Sequence, residues 1–159
     1  MEVINDLLRI KIFREQQAER ALQKARLILA EASEALKKAK VALDKFTEES
    51  LRREKSMYDD LCQRLVFLKE IENVLVDIEL MKEKSSELKK EVESAELNRK
   101  ECAERELEAH KMYIDAVRMR EKFDELRNTV LEENEAAIEK FEELEMEEAA
   151  SARFNFQSE

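Results

Sequence analysis

The amino-acid sequence predicts an all-α protein made of two long, unequal helices that form an antiparallel coiled-coil hairpin, with the second helix the longer. Three observations support this prediction. The 159 residues include no glycine and no proline, the two residues that most strongly disfavour a helix interior. Ala, Glu, Lys, Leu and Arg together exceed half of the chain, as is typical of coiled coils and long helices. Apolar residues also recur every seven positions in both halves, as a coiled coil requires.

The first helix is predicted over residues 1–57, where two apolar columns form a seam. One column consists of Ala18, Ala25, Ala32, Ala39 and Phe46. The other lies four positions further on and consists of Leu22, Leu29, Leu36, Leu43, Ser50 and Met57. Because alanine is small, the first column lets a partner backbone approach closely, which favours a tight antiparallel pair.

The second helix is predicted over residues 62–148, where one column continues through twelve heptads. It consists of Phe67, Val74, Met81, Leu88, Ala95, Cys102, Ala109, Ala116, Phe123, Val130, Ala137 and Leu144. Its companion column of Ile71, Ile78, Ser85 and Val92 is interrupted by the polar Arg99 and Glu106. A neighbouring column of Ala103, His110, Val117, Leu131 and Ile138 then replaces it. Such a slip is expected, since a straight helix drifts by about 20° per heptad.

The turn is predicted at residues 58–61. Asp59 and Asp60 are favourable N-cap residues, and Asp60 with Gln63 resembles a capping box. A break at Ser85–Ser86 is the alternative, but the Phe67 column passes through that site without a change of phase. A short connection makes the two helices antiparallel, and residues 149–159 are predicted to form a frayed tail.

A turn near residue 60 would place Ile4 opposite residue 116. The second helix would then continue about 30 residues, or ~45 Å, past the start of the first. This overhang retains an apolar stripe of Phe123, Val130, Leu131, Ile138, Phe141 and Leu144. An exposed stripe of this kind indicates a partner, either a second copy of the chain or another protein.

The start of the first helix carries apolar residues outside the seam. Val3, Ile10 and Phe13 lie among Arg9 and Arg14. One interpretation is that the end of the second helix partly covers them. The other is a docking site, because apolar anchors surrounded by arginine are common at interface hot spots.

The turn region also has more apolar residues than one seam needs. They are Leu61, Leu65, Val66, Leu68, Leu75 and Val76, with Tyr58 nearby. Either the connection folds back over them, or they form a second partner surface.

Charge and composition exclude several classes of function. The net charge is −10, whereas nucleic-acid binding needs a concentrated basic surface, so no nucleic-acid partner is expected. The N-terminus lacks the pattern of a secretory signal, and no apolar run is long enough for membrane insertion. Cys62 and Cys102 are too far apart to pair within one helix and are interpreted as reduced thiols of a cytosolic protein.

No catalytic, cofactor or metal site is predicted. His110 is the only histidine, and on a coiled-coil flank it is interpreted as a polar surface residue. Cys102 and His110 lack the further ligands of a zinc site. The chain is therefore not expected to be an enzyme.

The segment Leu7–Arg26, LLRIKIFREQQAERALQKAR, resembles the start of the YscO/FliJ family of type III secretion stalk proteins. That start combines an apolar-Arg-apolar rhythm with an Ala-Glu-x-Ala step, here Ala18-Glu19-Arg20-Ala21. The stretches Met81–Glu91, MKEKSSELKKE, and Glu121–Arg127, EKFDELR, also resemble YscO. The likeness spans most of the chain.

The resemblance implies a component of the type III export apparatus in the bacterial cytoplasm, peripheral to the inner membrane, that acts like the central stalk of a rotary ATPase. It implies contact between the secretion ATPase and Val3, Arg9, Ile10, Phe13, Arg14 and the Phe123–Leu144 stripe. It also implies contact between the cytoplasmic domain of the export-gate protein and Tyr58, Leu61, Leu65, Val66 and Leu68. Secretion chaperones are further implied partners. A self-associating structural coiled coil and an export chaperone remain as alternatives.

Overall fold

The computed structural model describes residues 2–65 and 67–157, with side-chain burial defined up to residue 154. The protein is all-helical. Helix α1 spans Glu2–Gln63, and the longer helix α2 spans Leu68–Gln157 and packs against α1. Neither of these described helices has a segment that is long and apolar enough to cross a membrane.

The chain divides into two compact units, and both helices contribute to each of them. The turn unit consists of Ala21–Ala109, and the terminal unit consists of Met1–Arg20 with His110–Glu159. Each unit is described separately below.

The turn unit contains most of the buried apolar side chains. They are Leu22, Ala32 and Leu36 of α1 together with Ile78 and Cys102 of α2. Every member of the two predicted α1 columns from Leu22 to Met57 is buried or half-buried, which confirms the heptad seam. Arg26 lies 3.5 Å from Glu106, and the Lys84 ammonium lies 5.0 Å from the centre of the Phe46 ring. Along the turn unit, α1 residues of increasing number therefore lie against α2 residues of decreasing number.

The terminal unit is packed more sparsely. Its buried apolar side chain among the described residues is Leu8, which is 4% exposed. The Lys11 ammonium lies 5.2 Å from the centre of the Phe123 ring, and Arg120 forms a hydrogen bond with Glu15. The start of α1 therefore lies against residues 120–130 of α2, whereas the sequence placed Ile4 opposite residue 116.

Every described residue of α2 from 131 to 154 is exposed, so α2 continues past α1 as an overhang from residue 131. At 1.5 Å per residue, residues 131–157 extend for ~40 Å. Ala137 and Leu144, the last two members of the long α2 column, are exposed in this overhang, where Leu144 was predicted to lie. Phe67 is also 80% exposed, because it lies in the connection before α2.

The helix bounds at the connection differ from the predicted ones. Asp60 does not open the second helix but lies in the last turn of α1, which ends six residues beyond Met57. Met57 and Leu61 are both half-buried, so burial against α2 extends α1 past the capping signal. The alternative break at Ser85–Ser86 lies inside α2. At the other end, residues 149–157 continue α2 and do not form the predicted frayed tail.

Arg64 joins the two helix ends at the connection. Its guanidinium lies 3.1 Å from Asp60 in the last turn of α1 and 3.2 Å from Glu70 in the first turn of α2. The hydrogen bond with Asp60, followed by the negative charges of Asp60 and Glu70, raises the pKa of Arg64. A cation after a helix C-terminus and an acid near a helix N-terminus both complement the helix dipoles. The α2 helix opens with the Phe67 carbonyl accepting from the Glu70 N–H at 3.0 Å.

The two free thiols differ in accessibility, which gives a simple test of the packing. Cys62 is exposed, whereas Cys102 is buried at 3% exposure. We expect a disulfide reagent to titrate Cys62 alone in the native protein and both thiols in guanidinium chloride, because a buried thiol reacts only when the helices open. Measured by absorbance, Cys62→Ser should remove the fast phase and Cys102→Ser should leave it unchanged. Equal native reactivity of both thiols would contradict the packing.

Candidate functional site

The seam of α2 continues through polar residues, contrary to the prediction that the Ile71 column fails after Val92. Arg99, Glu106, Tyr113, Arg120 and Arg127 follow Val92 at intervals of seven, and all five are half-buried. The neighbouring residues Ala103, His110 and Val117 are half-buried as well. Two of the charged residues in this column pair with α1, Glu106 with Arg26 in the turn unit and Arg120 with Glu15 in the terminal unit.

Glu15 and Arg120 form the most buried of these ion pairs in the terminal unit. Their side chains are 18% and 28% exposed, and Arg120 also lies 3.3 Å from Asp124. The hydrogen bond with Glu15 is the main cause that raises the pKa of Arg120, so this guanidinium stays charged at every accessible pH. A charged pair in a seam selects one register, often at a cost in stability compared with apolar packing.

The Glu15–Arg120 pair predicts which part of the protein opens first. We expect Arg120→Glu to accelerate amide hydrogen exchange in residues 2–20, because two facing carboxylates would repel each other in a unit that has little apolar burial. Exchange in residues 21–57 should change much less. Mass spectrometry of exchanged peptides measures both segments.

The matched control for this prediction is the charge-swapped double variant Glu15→Arg with Arg120→Glu. It restores opposite charges across the seam and should return exchange in residues 2–20 towards the wild-type rate. Equal acceleration by the single and the double variant would show that the pair does not hold α1 in place.

The start of α1 presents an apolar face that stays about half exposed or more. Val3, Ile10 and Phe13 are 71%, 46% and 55% exposed, which agrees with partial cover and leaves apolar surface for a docking site. Leu7 was not predicted to belong to this set but is also exposed, at 39%. It lies between Val3 and Ile10, so that successive members of the set are three or four residues apart. Arg9 and Arg14 flank this set and are exposed. We call Val3, Leu7, Ile10 and Phe13 the α1 face.

The overhang presents a second apolar stripe. Leu131, Ile138, Phe141 and Leu144 are between 39% and 63% exposed. Phe123 and Val130, predicted to belong to this free stripe, are half-buried because α1 packs against them. Met146 and Phe154 are each 73% exposed and were missed; Phe154 was missed because it lies in the segment predicted to be frayed. Residues 131–157 carry nine acids and two basic residues, so the stripe lies in strongly negative surroundings.

The turn unit presents a third apolar surface around the connection between the helices. We call this surface the tip, and it consists of Tyr58, Leu65, Phe67 and Leu68. Leu65 is fully exposed, Leu68 is 71% exposed and Tyr58 is 45% exposed. Leu75 and Val76 are also exposed, at 54% and 58%, so the connection does not fold back over them. Leu61 is half-buried in the seam, and Val66 lies outside the described residues. Phe67, predicted to lie in the seam, is 80% exposed and belongs to the tip.

These three surfaces are exposed apolar patches, which are typical of sites where proteins bind each other. Within residues 2–65 and 67–157, no group of three or more His, Cys, Asp or Glu side chains is placed to hold a metal ion. His110 is half-buried on the flank of the seam. All three surfaces consist of solvent-exposed apolar side chains on helices or at helix ends.

Comparisons with known proteins give a consistent result. The family model described as "Type III secretion protein YscO" matches residues 4–152. The crystal structure of the type III secretion protein YscO from Vibrio parahaemolyticus matches with a TM-score of 0.83 and 26% sequence identity, over 92% of this chain and 92% of that one. No curated protein matches the sequence. The YscO part of the resemblance read from the sequence is therefore confirmed.

Proposed function

The chain belongs to the YscO family of type III secretion proteins, and we propose that it acts as a stalk that links the secretion ATPase hexamer to the export gate and promotes protein export. In this proposal the chain is not an enzyme and works in the bacterial cytoplasm, peripheral to the inner membrane. The wider grouping of YscO with FliJ and the handling of secretion chaperones stay predictions that rest on the resemblance.

The order of contacts supports an antiparallel coiled-coil hairpin as the form of this stalk. In the turn unit, Arg26 contacts Glu106 and Lys84 lies over Phe46. In the terminal unit, Lys11 lies over Phe123 and Glu15 contacts Arg120. Within each unit the α2 number falls as the α1 number rises, as antiparallel helices require.

The observation that carries the proposal is the α1 face beside Arg9 and Arg14, together with the exposed stripe of the overhang. Fully burying an apolar side chain of this size contributes about 1.5–3 kcal/mol, and arginine-rimmed apolar anchors are typical of interface hot spots. We assign this end to the ATPase, through Val3, Arg9, Ile10, Phe13, Arg14 and the stripe from Leu131 to Leu144. We assign the tip to the export-gate protein.

The test measures binding to purified secretion ATPase and to the purified cytoplasmic domain of the export-gate protein from the same bacterium. We expect Ile10→Glu with Phe13→Glu to weaken ATPase binding by roughly a hundredfold, since about 3 kcal/mol of apolar contact is lost. Leu65→Glu with Leu68→Glu should weaken gate binding and leave ATPase binding unchanged. Circular dichroism confirms that each variant stays helical.

The matched control is Leu27→Glu with Val41→Glu, which changes two α1 residues that are 61% and 51% exposed and lie outside all three surfaces. It should bind both partners as the wild type does. Absence of ATPase binding by the wild type, or an equal loss in the control and the α1-face variant, would overturn the stalk assignment.

A further inference from the structure

We infer that the α1 face and the overhang of this chain bind each other between two copies, giving a two-fold symmetric dimer. The two surfaces lie in the same unit. The overhang is strongly acidic, whereas the start of α1 is neutral. The inference concerns the purified chain alone and does not depend on the proposed function. It uses the surfaces assigned above to the ATPase, so the dimer and the ATPase complex exclude each other.

Charge favours this pairing over the pairing of two overhangs. The overhang carries nine acids and two basic residues over residues 131–157, so two overhangs side by side would repel each other. Residues 2–20 of α1 carry four basic residues and four acids, so this part of α1 is neutral and does not repel the overhang. Glu15 is engaged by Arg120 in the seam, and Asp6 lies 4.0 Å from Arg9. Arg14 and Arg20 are exposed on the outer surface.

The spacing of the two stripes matches in one register. Val3, Leu7, Ile10 and Arg14 follow each other at intervals of four, three and four residues. Asn134, Ile138, Phe141 and Glu145 have the same intervals and line one groove of the overhang. In parallel alignment Leu7 meets Ile138, Ile10 meets Phe141, and Arg14 meets Glu145. This register gives two apolar contacts and one ion pair between the parallel helices.

The geometry of the terminal unit permits this contact twice in the same dimer. The overhang continues the face of α2 that packs on α1, because Asn134 and Phe141 lie four and eleven residues after half-buried Val130. A two-fold axis at the start of α1 places the two α1 helices end to end. The overhang of each copy then runs parallel to the α1 helix of the other, along the α1 face.

This arrangement gives an isologous contact, in which the same pair of surfaces meets on both sides of the axis. It covers Leu7, Ile10, Ile138 and Phe141 of both copies, side chains that are 39% to 63% exposed in the single chain. The dimer therefore removes from water four of the apolar side chains that the terminal unit leaves exposed in each copy, and it pairs one acid of each overhang with Arg14.

The test is sedimentation equilibrium of the purified chain, whose monomer mass is 18.8 kDa. We expect a concentration-dependent dimer that weakens as NaCl is added, because exposed charge pairs are screened. Variant one, Arg14→Glu, and variant two, Glu145→Arg, should each dimerise about tenfold more weakly or worse, because like charges then face each other.

The decisive measurement mixes variant one with variant two. In the mixed dimer one contact is wild type and the other has both charges reversed, so attraction is restored on both sides and affinity should return to within about threefold of wild type. Lys37→Glu with Lys38→Glu, exposed in the turn unit, is the control and should dimerise like the wild type. A monomeric wild type, or a mixture that fails to recover, would overturn the inference.

Discussion

Leu22→Ala should lower the free energy of unfolding by about 2–5 kcal/mol, the range for truncating a buried leucine. Leu22 is 3% exposed in the turn unit, where buried residues of both helices meet. The substitution removes apolar contact and leaves a cavity, since two rigid helices cannot close over the missing atoms. Urea unfolding followed by circular dichroism measures the effect.

The control for this substitution is Leu27→Ala, on the same helix at 61% exposure. The chemical change is the same, but little contact is lost, so the expected effect stays within about 0.5 kcal/mol. Similar losses at both positions would show that Leu22 does not face α2 in solution.

Ala32→Leu should also destabilise the protein, by about 1–3 kcal/mol, because added atoms in a packed interior force the neighbouring groups apart. Ala32 is 5% exposed and belongs to the alanine column of the α1 seam. Leucine is a good helix former, so the loss would come from packing between helices and not from helix propensity. Urea unfolding again measures it.

Ala35→Leu is the matched control, since Ala35 is exposed on the same helix. It should leave the free energy of unfolding unchanged within about 0.5 kcal/mol. If Ala32→Leu instead stabilised the protein, the alanine column would not be a site of close approach, and the explanation given for its small residues would be wrong.

Polar residues in the seam explain one failure of the sequence analysis. Arg120 and Glu15 look like solvated surface residues in a pattern of apolar columns, because each taken alone would be costly to bury. Only their meeting across the seam makes both positions compatible with half-burial. Their pairing depends on which residues of α1 and α2 face each other, and that depends on where the connection lies.

The position of the connection decides which residues of α2 face each residue of α1, and it lies later in the chain than predicted. The sequence contained a capping signal at Asp60 but no glycine or proline to mark the break. The structure ends α1 at Gln63 and begins α2 at Leu68. A later connection moves the α2 partner of each α1 residue towards the C-terminus, so Phe123 and Val130 lie under α1 and the overhang begins at residue 131.

The sequence by itself determined the helical class, the two unequal helices, the α1 seam from Leu22 to Met57 and the resemblance to YscO. Helix propensity and heptad spacing act along the chain, so a linear pattern contains them. The tertiary structure alone decided the register of the helices, the Glu15–Arg120 pair and the exposure of the α1 face, the overhang and the tip. These depend on which side chains the other helix removes from water, a pairing over some 100 residues that no local pattern encodes.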